Sequence, residues 1–255
     1  IFRFPRPEYQ GTPYFTEIRA LELLDRCHVA PVPRVLFVGK HTQYIGYAKL
    51  SGVTLSDAEA GKLSEEARQR LVPQLAQFMH VLHENVPLSG AQEAGIETYV
   101  SYPLDSLSDT LANTFGTNHQ VVRLAERAVQ EFVQQDSALN IPRVLHWDLH
   151  NGNMLVDPHT YDLTGVIDFG SMKIADVHAE FRSLYRFNPT LAQETVAAYQ
   201  SLINVPLNFR RVQLYAWLVR LSDLARVARR PQSDTYVNAL ARLNGWAQDE
   251  FGAGV

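Results

Sequence analysis

The sequence predicts an α+β protein in which a short strand-rich segment, residues 1–50, precedes a longer and mainly helical one, residues 51–255. Three observations carry that expectation. In-and-out alternation in IFRF, RVLFVG and YIGYAKL has the period of two that marks strands. Beyond Gly52 the apolar residues recur at three- and four-residue steps instead, so the pattern changes from strand to helix near Leu50. Within the helical segment the stretch Val144 to Gly170 carries two short apolar runs around the turn-rich DPHTYD, the pattern of a hairpin.

Each element has a local reason. IFRF is stopped by Pro5 and Pro7, because proline cannot donate to a strand ladder and is confined to strand edges and ends. The chain is therefore expected to open within a sheet whose earlier strands would lie upstream. Residues 13–26, PYFTEIRALELLDR, read as a helix: proline suits a first turn, and Phe15, Ile18, Leu21 and Leu24 form part of an apolar stripe with Glu17 beside it. VAPVPR is a stiff extended connection, since a residue before proline is pushed away from the helical region. RVLFVG and YIGYAKL follow as strands around the turn KHTQ.

Residues 63–84 form an amphipathic helix with Leu71, Leu75, Phe78, Met79 and Leu82 on one face, and His80 and His83 read as capping or packing residues. Val86 to His119, rich in Ser, Thr, Asn, Asp and Gly, reads as a less regular cover over a substrate, with a short helix around YVSYPLDSLSDTLAN. Gln120–Gln135 is helical again, and Asp176 is placed to cap a helix beginning near Val177. Leu191–Ile203, Phe209–Ala228 and Thr235–Phe251 complete the helices, bounded by Pro206 and Pro231. The second of these sets Arg220, Asp223, Arg226 and Arg230 opposite Leu214, Leu218, Leu221 and Ala225, the layout of a solvated, ion-paired face. As a pocket wall, such a face would favour a neutral or anionic compound over a polycation.

Composition excludes several classes. With 255 residues, 46% of them hydrophobic, the chain can bury a sizeable core. A formal charge of −4 argues against a nucleic-acid partner, which would call for a basic stripe. The single cysteine, Cys27, rules out an intramolecular disulfide, fits a reducing compartment and reads as a small hydrophobe at a helix end. No apolar run approaches the ~18 residues of a membrane span, and IFRFPRPEYQG lacks a signal-peptide layout, so no membrane partner and a cytoplasmic location are expected.

The chemistry concentrates in VLHWDLHNGNMLVDPHTYDLTGVIDFG, where His146, Asp148 and Asn153 form HxDxxxxN and Asp168 stands in IDFG. Two carboxylates and an amide oxygen are the hard ligands and bases that magnesium and a phosphoryl group require. Residues 149–152 can form a tight loop, and pairing of NMLV with LTGVID brings Asn153 and Asp168 to neighbouring strand ends. A Mg-nucleotide site is the simplest reading. A rival is a metal-dependent hydrolase, because His146, Asp148 and His150 alternate as HxDxH, with His159 and His178 available as further zinc ligands.

At these residues the sequence resembles the aminoglycoside phosphotransferase and choline kinase-like family, the small-molecule branch of the protein-kinase-like fold; protein kinases carry HRD with an asparagine five residues on, then DFG. The resemblance implies a bilobal fold, with a small mainly-β N-lobe over 1–50, entered midway through its strands, and a larger mainly-α C-lobe over 51–255. It implies Mg2+-dependent transfer of the γ-phosphoryl group of ATP or GTP to a hydroxyl of a small molecule, with an aminoglycoside antibiotic as the leading named acceptor. By the same resemblance Asp148 is the base, Asn153 and Asp168 hold Mg2+, and Arg3, standing where the family usually has lysine, reaches the phosphates from its pair with Glu17. Ala48 and Leu50 of the connector Tyr47–Leu50, with Ile167, are the remaining nucleotide contacts, and Asp176 braces the loop that carries Asp148. Arginine at position 3 and the missing phosphate-covering turn motivate one further rival, a kinase-like nucleotide-binding protein without transfer activity.

Overall fold

The computed structural model describes residues 1–4, 13–39, 44–99, 104–135, 140–227, 237–241 and 243. Its contacts divide into two compact units, Ile1–Tyr99 with Asn140–Phe209, and Val100–Leu139 with Arg210–Val255. Pro5, Pro7, the turn KHTQ, Arg230 and most of the helix expected over Thr235–Phe251 lie outside the described residues.

The first unit opens with a three-stranded antiparallel sheet of β1 (Phe2–Arg3), β2 (Val35–Val38) and β3 (Ile45–Tyr47), in the order β1-β3-β2. Arg3 pairs with Ile45, and the Ile1 amino group donates to the Tyr47 carbonyl at 2.8 Å. The strand expected as far as Leu50 ends at Tyr47. Helix α1 (Pro13–Arg26) has the bounds its periodicity predicts and packs on a 3-10 turn, Phe169–Ser171. Its buried stripe starts at Ile18, with Leu21 and Leu24, whereas Phe15 is 51% exposed, a correction to the stripe read from spacing.

Beyond the connector the chain docks on a hairpin made of β5 (Met154–Val156) and β6 (Leu163–Val166). Val53 and Val156 exchange two backbone hydrogen bonds of 2.9 Å. Gly52, at φ +102°, makes this approach possible: a Cβ there would lie 2.1 Å from Thr164 Oγ1. Two short helices, α2 (Asp57–Ala60) and α4 (Leu88–Glu93), flank the long α3 (Glu65–Asn85). Leu71, Leu75, Met79 and Leu82 of α3 are fully buried, and the helix packs along α8 (Pro189–Ile203) and against β4 (Pro142–Leu145).

One strand departs from the sequence expectation. β7 (Lys173–Asp176) pairs antiparallel with β4, Val144 opposite Ile174, and Ile174 also bridges to Thr98. At four residues it is too short for its alternation to stand out, and Asp176 reads locally as a cap. It is both: its Oδ1 accepts from His178 N at 3.2 Å and caps a 3-10 turn, Val177–Ala179, while α7 proper runs from Arg182 to Phe187. The helix expected near Val177 is thus a single tight turn followed by a later start.

In the second unit α5 (Leu104–Phe115) packs on α6 (Gln120–Gln134), and Arg210 at the start of α9 (Phe209–Val227) forks onto Glu131 of α6 at 2.6 and 2.8 Å. α5 falls on the short helix expected around YVSYPLDSLSDTLAN and runs on to Phe115, whereas α4 is a helix that the stretch read as irregular was not expected to hold. Leu107 and Leu111, four apart on α5, are both buried. On α9, Leu214, Leu218, Leu221 and Ala225 are buried as expected, and Arg226 pairs with Asp223 at 3.3 Å on an exposed face. Among the described residues no helix is long and apolar enough to cross a membrane.

Candidate active site

The loop after β4 is held from below. His146 is fully buried; its Nδ1 accepts from Asp148 N at 3.3 Å and its Nε2 donates to Ile167 O at 2.9 Å, which ties HxD to IDFG. Burial keeps the imidazole pKa below its ordinary value despite the nearby acids, so the ring is neutral with its proton on Nε2. Asp148 itself is half-exposed, with His150 Nε2 3.7 Å from its Oδ2.

Trp147 stands between them at φ 74°, in the left-handed region that costs a residue with a Cβ about 1–2 kcal/mol. Its N–H and that of His146 both donate to Glu180, at 3.2 and 2.7 Å, and its carbonyl accepts from Arg182. The Arg182 guanidinium lies 3.8 Å over the indole ring, and Tyr99 stacks at a tilt with centroids 4.6 Å apart.

Glu180 is fully buried. Burial alone would raise its carboxyl, but the hydrogen bond from His83 and the electrostatic attraction of the neighbouring imidazoles and the Arg182 guanidinium outweigh it and hold the group below its ordinary value. His83, read as a packing residue, links Glu180 at 3.4 Å to the Tyr199 hydroxyl at 2.7 Å. Asp176, the acid expected to brace the loop, accepts from His178 and Ile141. The bonds to the loop backbone come from Glu180, further along the chain.

Asn153 and Asp168 converge as the hairpin requires. Ile167 N donates to Asn153 O at 3.0 Å, immediately before Asp168. The Asn153 amide donates to Asp148 O at 2.8 Å, which leaves its Oδ1 as the uncommitted end of a buried side chain. Asp168 adopts the left-handed conformation, φ 69° and ψ 65°, and its carboxylate is about half-exposed, 3.9 Å from Arg3. A hard, uncommitted amide oxygen and an accessible carboxylate at adjoining strand ends are a donor set suited to Mg2+.

Arg3 Nη1 donates to both carboxylate oxygens of Glu17, at 2.7 and 2.9 Å, and the guanidinium is also hydrogen-bonded to Tyr47. Glu17 is only 3% exposed, and burial keeps its pKa above the ordinary value in spite of Arg3, with Asp168 adding to the rise. Leu50 lies against β6, where a Cβ on Gly165 would come within 2.7 Å of its Cδ1. Ile167 is half-buried beside Asp168, and Ala48 is exposed just past β3. The structure therefore gathers Arg3, Glu17 and Asp168 into one cluster and Asp148, Asn153 and Ile167 into another, joined through the Ile167–Asp168 step; Leu50 reaches the strand leading to it.

The zinc reading of HxDxH fails on geometry. Both His146 nitrogens are committed, as are those of His178, to Asp176 at 2.7 Å and to Asn208 N at 3.1 Å. Among the described residues no group of three or more His, Cys, Asp or Glu is arranged to hold a metal.

Comparison with known proteins decides the class. Residues 1–215 match the family described as the phosphotransferase enzyme family. The chain belongs to that family. It is accordingly a small-molecule kinase, with the α+β kinase-like fold of its structural neighbours. A curated relative of this phosphotransferase, the aminoglycoside 3'-phosphotransferase of Streptomyces fradiae, is 29% identical over 212 residues, 76% of this chain and 75% of the relative. The GDP complex of wild-type aminoglycoside 2'-phosphotransferase-IIIa superposes with a TM-score of 0.84 at 24% identity, over 98% of this chain and 86% of that one. A macrolide 2'-phosphotransferase type I superposes with a TM-score of 0.70 at 16% identity, over 95% and 82%.

Sequence reasoning missed Glu180, Arg182 and His83 as members of this site. The only local signal is that Glu180 and Arg182 alternate with Ala179, Phe181 and Leu184, and charged residues are rarely fully buried unless paired.

Proposed function

We propose that this phosphotransferase moves the γ-phosphoryl group of ATP or GTP to a hydroxyl of a small molecule, with residues 1–50 serving as the nucleotide-binding lobe. The observation that carries the reading is the convergence of Asp148, Asn153 and Asp168 through the bonds Asn153 Nδ2 to Asp148 O and Ile167 N to Asn153 O. Asn153 Oδ1 and Asp168 would hold Mg2+, which when bound supplies charge neutralisation at the phosphates. Arg3, presented by Glu17, takes the phosphate oxygens; a guanidinium binds them in a bidentate manner where lysine would act as a point charge. Leu50, Ala48 and Ile167 border the nucleotide base. Asp148 orients the acceptor hydroxyl and takes its proton as the oxygen attacks phosphorus; the nucleoside diphosphate leaves with the electron pair of the broken P–O bond.

The accessible Asp148 carboxylate, which nucleotide binding alone does not require, favours this reading over a nucleotide-binding protein without transfer activity. The GDP complex of the 2'-phosphotransferase-IIIa, a protein of the same fold, supports a nucleotide as the donor. An aminoglycoside is the first acceptor to try, because the Streptomyces fradiae relative is an aminoglycoside 3'-phosphotransferase. Macrolides belong beside it, because a macrolide 2'-phosphotransferase shares the fold, and simple neutral and anionic alcohols complete the panel. The test is incubation with Mg-ATP or Mg-GTP and that panel, read by mass. Gain of one phosphate on an acceptor, abolished in Asp148→Ala, supports the reading, and transfer that survives Asp148→Ala overturns it.

A further inference from the structure

We infer that Arg182 is a positioning residue for the transfer reaction: with Glu180 and Tyr99 it clamps Trp147 in the left-handed conformation and thereby sets the placement of Asp148. The inference rests on Asp148 being the base. Trp147 O and Asp148 N belong to one planar peptide, so a group that holds that carbonyl sets the direction in which the Asp148 Cα leaves. Trp147 is engaged at its amide, its carbonyl and its ring. Its N–H is taken by Glu180 at 3.2 Å, its carbonyl by Arg182, and its ring by the guanidinium at 3.8 Å and by Tyr99 at 4.6 Å.

Arg182 is suited to this by its own anchoring. It is 5% exposed, and a second nitrogen donates to Ala179 O in the turn after β7, so the guanidinium plane is fixed relative to the sheet that carries the loop. A planar fork can stack on an indole and donate to two carbonyls at once; an ammonium cannot do both. A bulky residue at φ 74° returns to ordinary backbone angles unless its surroundings over-determine it, and conformations of this kind persist where the position matters. On the other side of Asp148 its carbonyl accepts from Asn153 Nδ2 at 2.8 Å and from His150 N at 3.0 Å, so the clamp acts on the opposite flank, where it shares the Trp147–Asp148 peptide with His146 Nδ1, which accepts from Asp148 N at 3.3 Å.

The test is a double-mutant cycle on the full chain, with kcat and nucleotide KM measured for Arg182→Met in the parent and in a Trp147→Gly background. Glycine takes the left-handed conformation without a Cβ penalty, so a clamp that acts through Trp147 becomes dispensable there. Expected is a kcat loss of about 100-fold for Arg182→Met in the parent, the order that a misplacement near 1 Å produces, with nucleotide KM within about twofold. In the Trp147→Gly background the same substitution costs less than about threefold. Equal losses in both backgrounds, or an Arg182→Met protein that folds and keeps the parental kcat, overturn the inference. If Arg182→Met does not fold, Arg182→Lys carries the same cycle, with an expected loss of about 10-fold because one carbonyl bond survives without the stack. Asp148→Asn run alongside separates the two readings: transfer that survives it removes the base assignment, whereas its silence together with uncoupled Arg182 removes only the clamp.

Discussion

Glu180→Ala is the perturbation that probes the support of the active-site loop most directly. The side chain accepts from two backbone donors, His146 N at 2.7 Å and Trp147 N at 3.2 Å, in a fully buried place. Alanine leaves both without an acceptor, and each such loss costs about 1–3 kcal/mol, so the total is roughly 2–6 kcal/mol. At about 2–4 °C per kcal/mol for a chain of this size, the melting temperature should fall by roughly 5–20 °C. Glu180→Gln keeps one accepting oxygen and turns an amide N–H toward the other donor, so about half of that loss is expected. Calorimetric melts of the three proteins give the comparison, and kcat at a temperature where all are folded should fall with the same order. A Glu180→Ala protein that melts within about 2 °C of the parent would refute the reasoning, because the two N–H groups would then have to find partners the fold does not offer.

Three further outcomes follow from the assigned geometry. Asp148→Ala should keep Mg-nucleotide binding while abolishing transfer, and Asp168→Ala should weaken Mg-nucleotide binding itself; calorimetric titration showing equal loss in both would contradict that division. Glu17→Gln should raise nucleotide KM by about tenfold, since Arg3 loses a charge-assisted pair, and should raise the melting temperature at pH 7. The sign follows from burial, which holds Glu17 above its ordinary 4.5: its favourable contribution is present below that pH and is lost as pH rises through the folded value, so the advantage of glutamine should vanish below about pH 4. His146 and Glu180 act in the opposite sense. Both are depressed in the fold, so their contribution is present above the ordinary values of 6.5 and 4.5 and is lost as pH falls through the folded ones. Parental melting temperature should drop on acidification from pH 7 to about 4, and Glu180→Gln should flatten the lower end of that curve. A flat parental profile would count against both assignments.

What was legible from residues alone is what local physics encodes. The stripe Leu71, Leu75, Met79 and Leu82 announces a buried helix face, because burial recurs with the helical period. The start of α1 follows from proline at a first turn, and the hairpin follows from DPHTYD, whose Asp157 accepts from His159 N and Thr160 N. Since HxDxxxxN and IDFG flank that hairpin, the meeting of Asn153 with Ile167 and Asp168 was already implied by the spacing. Tertiary structure decided the rest. β7 pairs with β4 from beyond the whole hairpin, Leu145 opposite Lys173, and no four-residue segment states its partner. Glu180 lies 34 residues from His146, and His83, on α3, lies 97 residues from Glu180. The carboxylate that carries the loop was therefore hidden behind Asp176, which looks like the better candidate when only neighbours are considered. Sequence patterns report which face a residue turns inward; which buried donor meets which buried acceptor depends on how separate elements pack, and that is settled only when the whole chain has folded.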